Sequence, residues 1–106
     1  MMKKLTNIIV DCEASGPCPG AGDLIEFAAV AESGEEFKSA KFPPTFDRFD
    51  PGAYKALKLT REEHLKYDGS FVKEARRFAE WCGTERQAFW SDNPAFDWQW
   101  INWCFS

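Results

Sequence analysis

The chain has 106 residues, 44% of them hydrophobic and 16% aromatic. This composition fits one globular domain with a small, ring-rich core and excludes a disordered chain. Thirteen basic and seventeen acidic residues give a net charge of -4, which argues against a protein that holds nucleic acid by a broad basic surface. No apolar run reaches the roughly 20 residues that a membrane-spanning helix needs, so we expect no membrane association.

The amino-terminal segment and the cysteines bear on the cellular compartment. Residues 1–10 contain two lysines but neither a long apolar stretch nor a small-residue cleavage site. The four cysteines form no C-x-x-C pair, so reduced thiols are expected. Together these features predict a cytoplasmic protein.

The first half of the chain predicts three strands. They cover residues 7–11, 24–31 and 36–42. A Gly/Pro-rich loop at 16–22 separates the first two strands, and Ser33-Gly34 turns the chain before the third. Pro43-Pro44 ends the third strand, and an irregular stretch is expected to about Pro51.

The second half predicts two helices, a short strand and a final helix. They cover residues 60–67, 70–82 and 87–91, and the residues from Pro94 onward. Thr60 and Glu63 match a capping box, and Gly83 lies where a carboxyl-terminal helix cap is expected. Pro94 suits the first turn of the last helix, which carries Phe96 and Trp100 on one face.

This order of elements predicts an α/β fold. Three consecutive strands favour an antiparallel meander, and a helix followed by a strand favours a right-handed parallel crossover onto it. We therefore expect one domain over residues 1–106, with a mixed sheet and flanking helices.

Two acidic signatures predict a metal site. Asp11 and Glu13 stand two apart at the end of the first strand, so their side chains share one face while Cys12 points away. Asp97 follows the last strand at the start of a helix, and folding could bring it to the same cation. Carboxylates without a His or Cys cluster favour Mg²⁺ or Mn²⁺ over zinc.

Simpler interpretations stay open for several of these residues. Asp11 and Glu13 could face water at a strand end, and Asp97 could serve only the helix dipole. Asn93 is equally well explained as an ordinary helix N-cap. Glu26 could either line the site or lie at a solvated edge. A last set, expected to pack in the core rather than stack on bases, comprises Trp98, Trp100 and Trp103.

The motifs resemble those of the DEDD 3′ to 5′ exonucleases, a superfamily that includes proofreading exonuclease domains, RNase T and oligoribonuclease. The segment 11–16 (Asp-Cys-Glu-Ala-Ser-Gly) is similar to the first motif, and 24–30 (Leu-Ile-Glu-Phe-Ala-Ala-Val) resembles the strand that follows it. Asn93, Phe96 and Asp97 are similar to the second motif. The resemblance implies a ribonuclease H-like fold and is nearest to the compact, stand-alone exoribonucleases.

The resemblance also implies roles for individual residues. Asp11, Glu13 and Asp97 would be catalytic and would bind two Mg²⁺ or Mn²⁺ ions about 4 Å apart. Backbone groups at Ala14, Ser15 and Gly16, together with Asn93, would contact the terminal nucleotide. Two positions depart from the pattern of the superfamily: Pro17-Cys18-Pro19 follows the glycine where relatives often have an apolar wedge, and Asp92 stands where relatives often have His.

The third motif of the superfamily is a His and an Asp on a last helix, well beyond the position of Asp97. The chain stops at Ser106, and its one histidine, His64, lies far upstream where a solvated structural role is expected. The final helix carries aromatic residues on several faces, which is typical of a helix with neighbours on several sides. We therefore expect the amino-terminal two-thirds of a complete domain, or a chain completed by a partner.

The leading hypothesis is a metal-dependent exonuclease that hydrolyses phosphodiester bonds at single-stranded 3′ ends, with RNA favoured over DNA. One alternative is a non-catalytic module of the same fold that binds nucleic acid or a partner chain. Another is a fragment completed by a second polypeptide. Related enzymes are commonly dimers, so a homodimer is also considered.

Overall fold

The computed structural model describes residues 6–84 and 87–105 and has an α/β architecture. Within them lie four strands and four helices. In chain order these are β1 Thr6–Ala14, β2 Leu24–Ala31, β3 Glu36–Lys38, α1 Pro51–Leu57, α2 Arg61–Leu65, α3 Phe71–Cys82, β4 Gln87–Trp90 and α4 Pro94–Phe105. None of these helices is long and apolar enough to cross a membrane.

The strands form a mixed sheet in the order β3-β2-β1-β4. β1 pairs antiparallel with β2, and β2 with β3, while β4 pairs parallel with β1. This confirms the predicted meander extended by a parallel strand. The helix α3 lies between β3 and β4 in the chain, so the crossover that the parallel pairing requires contains this helix.

One face of the sheet carries the hydrophobic core. Along β1 the buried residues Ile8, Val10 and Cys12 alternate with Ile9 and Asp11, which are exposed, as the two-residue period of a strand dictates. The opposite face of β1 therefore presents Asp11 and Glu13. The core face is the one against which the large rings pack.

Aromatic rings dominate this core. Phe27 of β2 is fully buried and lies 5.3 Å, centroid to centroid, from Phe78 of α3 in an edge-on arrangement. It stacks on Phe37 of β3 at 5.6 Å. Trp100 of α4 is also buried in the same cluster. The ring-rich core that the composition predicts is therefore present, and it holds α3 and α4 to one side of the sheet.

The helix boundaries follow their capping residues. The Thr60 hydroxyl accepts a hydrogen bond from the Glu63 N–H, and the Glu63 carboxylate accepts one from the Thr60 N–H, which is a complete capping box. Ser70 caps α3 by accepting from the Lys73 N–H, and Gly83 follows its last turn. The predicted helix at 60–67 is shorter in the structure, because α2 ends at Leu65.

The third strand is also shorter than the predicted 36–42, since it ends at Lys38. Ser39 explains the break: its Oγ accepts from the Phe27 N–H at 3.0 Å, where a regular ladder would use a backbone carbonyl. The chain stays attached to β2 because the Phe42 N–H donates to the Ile25 carbonyl at 2.7 Å. The segment therefore lies along the sheet without continuing it.

The sequence interpretation missed α1. Its cap is nevertheless in the sequence, because the Asp50 carboxylate accepts from the Gly52 N–H at 2.9 Å and Pro51 occupies the first helical position. The helix ends at Leu57, where Lys58 adopts a left-handed conformation with φ of 54°. Two turns are too short to give a clear amphipathic pattern.

Candidate carboxylate site

Asp11 and Glu13 lie side by side on the face of β1 opposite the core. Asp11 is exposed and Glu13 half-buried, and their carboxyl groups are within hydrogen-bonding reach of each other. The alternation of the strand predicts this placement. The strand continues beyond Asp11 to Ala14, so the pair lies within the paired part of the strand rather than after it.

The pair lies in an electronegative setting. Burial raises the pKa of Asp11, and the carboxylates of Asp97 and Asp92 raise it further. Burial also raises the pKa of Glu13, with Asp11 and then Glu26 adding to the effect. Ionising both groups is therefore costly in the metal-free chain, and a bound cation would relieve that cost.

Asp97 is brought to the same end of β1 from α4. Its carboxylate is 2% exposed, and Oδ1 accepts a hydrogen bond from the Cys12 backbone N–H at 3.0 Å. The second oxygen accepts from the Ser91 hydroxyl. The paired residues of β4 reach only as far as Ile9 on β1, so Asp97 supplies the next acceptor for the edge of β1.

The ligand types at this site fit a hard divalent cation, since Asp11 and Glu13 offer two adjacent carboxylates of raised pKa. In residues 6–84 and 87–105, however, no three His, Cys, Asp or Glu side chains converge closely enough to hold an ion. Asp97 lies beside the pair with both carboxylate oxygens engaged by Cys12 and Ser91. The pair therefore fits the cation, and the role of Asp97 as a third ligand stays a prediction.

Glu26 faces the same side of the sheet. It pairs directly across from Glu13 in the β1–β2 ladder, and its Oε2 is buried with no hydrogen-bond partner among the described residues. The Lys38 ammonium lies 4.0 Å from that oxygen. Glu26 therefore lines the site, which is the first of the two interpretations that the sequence left open; the meander register is the signal that indicates it.

Ala14, Ser15 and Gly16 lie in a tightly hydrogen-bonded turn. The Ser15 N–H donates to the Asp23 carbonyl at 2.9 Å, and the Ser15 carbonyl accepts from the Asp50 N–H at 2.7 Å. The Ser15 hydroxyl accepts from the Asp23 N–H at 2.8 Å. The backbone of Ser15, which is fully buried, is thus engaged within the chain and holds the loop 16–22 against the end of β1.

Asn93 lies at the start of α4 with its side chain exposed. Its carbonyl accepts from the backbone N–H groups of Phe96 and Asp97, at 3.1 and 2.9 Å, and its own N–H donates to the Ser91 hydroxyl. Ser91, which the sequence analysis did not single out, therefore contacts both Asn93 and Asp97. It shapes the turn that delivers Asp97 to β1.

His64 has a structural role, as the sequence predicts, but its side chain is buried. The expectation that it is solvated is therefore wrong. Its Nε2 donates to the Phe42 carbonyl at 3.0 Å, and its Nδ1 accepts from the Tyr54 hydroxyl. Arg61 in turn donates to that hydroxyl at 2.8 Å. Burial lowers the pKa of His64, so it is neutral and links α1, α2 and the segment after β3.

The cysteines and tryptophans also have defined surroundings. All four cysteines are free, as predicted, and burial together with the Asp97 carboxylate raises the pKa of the Cys12 thiol. Trp100 is a core residue and Trp98 packs edge-on against Phe89 at 6.4 Å. Trp98 is only half-buried and Trp103 is 69% exposed, so the predicted core packing holds for Trp100.

Comparison with known proteins gives a sequence relative and a set of structural neighbours. The chain is 32% identical to the 3′-5′ DNA exonuclease Cap18 of Escherichia coli over 92% of this chain, and it spans 56% of that protein's length. No protein-family model matches the chain.

The structural neighbours are forms of exonuclease I. A product-bound form superposes with a TM-score of 0.76 over 97% of this chain and 25% of the other, at 21% identity. The zinc-bound complex of the E. coli enzyme with single-stranded DNA gives 0.77 over 97% and 24%, at 21% identity. A complex of the E. coli enzyme with a dT13 oligonucleotide gives 0.77 over 96% and 24%, at 22% identity.

These structural matches establish the fold, which is the ribonuclease H-like fold that the motifs imply. The sequence relative carries the name of the activity that the first and second motifs imply. Motifs, relative and fold together support a DEDD-type 3′ to 5′ exonuclease as the family that this chain resembles.

Proposed function

We propose that this chain carries the metal-binding part of an exonuclease that hydrolyses phosphodiester bonds at single-stranded 3′ ends. The observation that supports it best is the pairing of Asp11 and Glu13 on one face of β1, with the buried Asp97 held at the same strand end. A hydrolase that acts on a polyanion needs a concentrated positive charge, and paired carboxylates supply it by binding cations.

Asp11 and Glu13 would be the direct ligands of two Mg²⁺ or Mn²⁺ ions. Such ions, when bound, activate the attacking water and stabilise charge on the scissile phosphate and leaving oxygen. Asp97 has two tasks in this proposal: it adds negative charge beside Asp11 and it anchors the Cys12 backbone. Ser91 keeps the Asp97 carboxylate oriented.

For the substrate we propose single-stranded DNA ahead of RNA. The relative that supports this is named a DNA exonuclease, and exonuclease I has been captured with dT13 and dA16 oligonucleotides. The motif resemblance to compact exoribonucleases favoured RNA, and that preference stays a second possibility. A substrate preference depends on contacts to the sugar 2′-hydroxyl. Asn93 and the turn at Ala14 to Gly16 are the proposed nucleotide contacts, with the exposed Asn93 side chain better placed than Ser15.

A second candidate function is binding of nucleic acid without cleavage. It is motivated by His64, the one histidine of the sequence, whose two ring nitrogens are engaged by Tyr54 and Phe42. A general base must reach the proton that it removes, so His64 cannot serve in this position. Cleavage then requires water activated by the metal site itself, or a general base that these 106 residues do not supply.

The test is a time course with 5′-labelled single-stranded DNA and RNA of the same sequence, with Mg²⁺, Mn²⁺ or chelator. The active protein should shorten the strand from its 3′ end in single-nucleotide steps, only with metal, and Asp11→Asn should abolish the ladder. The matched control is Glu80→Gln, which removes an exposed carboxylate of α3 on the other side of the sheet.

The alternatives give different results in the same assay. Cleavage in chelator, or an unchanged rate in Asp11→Asn, would contradict the metal mechanism. Retarded migration of the oligonucleotide in a native gel, without shortening, would support the binding module instead. The ratio of the DNA and RNA rates decides the substrate.

A further inference from the structure

A second pair of charged side chains lies next to the carboxylate site on the same face of the sheet. Glu26 stands opposite Glu13 in the antiparallel ladder, and Lys38 of β3 stands opposite Ala28, two residues further along β2. Residues in this register on one face have their side chains within reach of each other. The sheet therefore carries the charge sequence of Glu13, Glu26 and Lys38 from its centre to its edge.

The surroundings of the Glu26 carboxylate are unfavourable. Its side chain is 17% exposed, and its Oε2 is buried without a hydrogen-bond partner in the described part of the chain. The Lys38 ammonium is 4.0 Å away, which is an ion-pair distance but too long for a hydrogen bond. Two carboxylates placed directly across a ladder also repel each other.

A small cavity of about 70 Å³ adjoins the two glutamates. Its walls include Lys41 and Tyr67, with the Lys41 ammonium 5.4 Å from the centre of the Tyr67 ring. The cavity lies between Glu13 and Glu26 on one side and the segment that joins α1 and α2 on the other. Its volume admits a few water molecules but no nucleotide, so the space beside Glu13 and Glu26 is large enough for solvent only.

We propose that Glu26 is a positioning residue that strengthens cation binding by Asp11 and Glu13, and that Lys38 weakens the same binding by offsetting the Glu26 charge. This inference rests on the proposed function. The Glu26 carboxylate acts through its field and by repelling the Glu13 carboxylate toward Asp11. A cation held by Glu13 offsets the repulsion that Glu26 causes in the metal-free chain, so folding and metal binding are coupled through this contact.

The size of the effect follows from Coulomb's law. Glu26 carries a unit charge one strand away from a divalent ion bound at a partly exposed site. After screening, this charge should change the affinity of the site for the ion by roughly three- to tenfold. The Lys38 side chain is 69% exposed, so removal of its charge has a smaller effect of about twofold, with the opposite sign.

The experiment is calorimetric titration of the metal-free protein with Mn²⁺ at fixed ionic strength, paired with thermal melting without metal. Glu26→Gln keeps the side-chain shape and removes the charge, and it should weaken Mn²⁺ binding about three- to tenfold. Lys38→Gln should tighten binding about twofold. The metal-free Glu26→Gln protein should melt no lower than the parent, because the repulsion with Glu13 is gone.

Opposite shifts in the two variants support the proposal. Wild-type affinity in Glu26→Gln, or shifts of the same sign in both variants, would overturn it, and so would a lower melting temperature for Glu26→Gln with unchanged affinity. Asp11→Asn separates this failure from failure of the proposed function. If the parent does not bind Mn²⁺, or if Asp11→Asn binds it equally well, the metal site itself is wrong and the role of Glu26 is overturned with it.

Discussion

Asp97 is expected to stabilise the fold as well as to serve the reaction, and the two roles can be separated by substitution. Its buried carboxylate accepts from the Cys12 N–H and from the Ser91 hydroxyl. A hydrogen bond to a charged group contributes about 1.5 to 3 kcal/mol. Asp97→Ala removes both bonds and leaves the Cys12 N–H, in a buried strand, without its acceptor, so it should cost about 3 to 5 kcal/mol.

Asp97→Asn tests the other role. Its side-chain oxygen can still accept from the Cys12 N–H, and its amide can donate to the Ser91 oxygen, so the loss of stability should be below about 1.5 kcal/mol. The nuclease ladder should nevertheless disappear, because a charge beside Asp11 is lost. Urea unfolding followed by tryptophan fluorescence measures the stability of both variants, and Ser91→Ala completes a double-mutant cycle.

The cycle measures the coupling free energy between Asp97 and Ser91. Ser91→Ala should cost about 1 to 2 kcal/mol in the parent and much less in the Asp97→Ala background, so the coupling should be about 1 kcal/mol or more. Additive losses, or equal losses for Asp97→Ala and Asp97→Asn, would show that the hydrogen bonds at Asp97 do not carry its stabilising effect.

Three further predictions concern pH, the buried histidine and the first loop. Burial and like charges raise the pKa of Asp11 and Glu13 above 3.8 and 4.5. The two carboxyl groups therefore stabilise the fold below those values, and this stabilisation is lost as the pH rises through their raised pKa values. In chelator, melting scans should show the parent losing stability from about pH 4 toward neutrality relative to Glu13→Gln. Burial lowers the pKa of His64 below 6.5, so its contribution is present above pH 6.5 and lost as the pH falls, and His64→Ala should cost about 2 to 4 kcal/mol in urea unfolding. Gly16→Ala should cost about 3 kcal/mol or more by the same measurement, because its Cβ would lie 2.1 Å from the Ala21 carbonyl oxygen.

Each of these predictions has a control. Glu80→Gln should leave the pH dependence of stability as in the parent, and the same flattening as in Glu13→Gln would refute the assignment to the carboxylate pair. His64→Ala should keep the parent's nuclease rate per folded molecule, so loss of rate without loss of fold would place His64 in the reaction. Gly20→Ala has open space around its Cβ and a φ of 91°, so it should cost only about 1 kcal/mol.

The sequence was sufficient for the elements whose signals are local. The capping box at Thr60 and Glu63 and the cap at Ser70 both appear in the structure as read. The meander and the parallel strand follow from element order. By contrast, the sequence interpretation missed α1. Asp50 and Pro51 begin a helix that is only two turns long, and apolar periodicity cannot be recognised in so short a segment.

The sequence indicates which residues belong to the candidate site, but it does not indicate which residues they contact. The spacing of Asp11 and Glu13 alone puts both carboxylates on one face. That Asp97 completes the hydrogen bonding of the β1 edge depends on where β4 stops, which is a long-range property of the sheet. The position of Glu26 opposite Glu13 depends likewise on strand register, which a turn and a bulge determine.

The most direct test of the central claim is the anomalous difference map of a crystal of this chain grown with Mn²⁺ and a short single-stranded DNA. The account predicts a manganese peak within ligand distance of the Asp11 and Glu13 carboxylates, with the 3′-terminal phosphodiester beside it. A map with manganese elsewhere and none at this pair would contradict the claim that these two residues form the catalytic metal site.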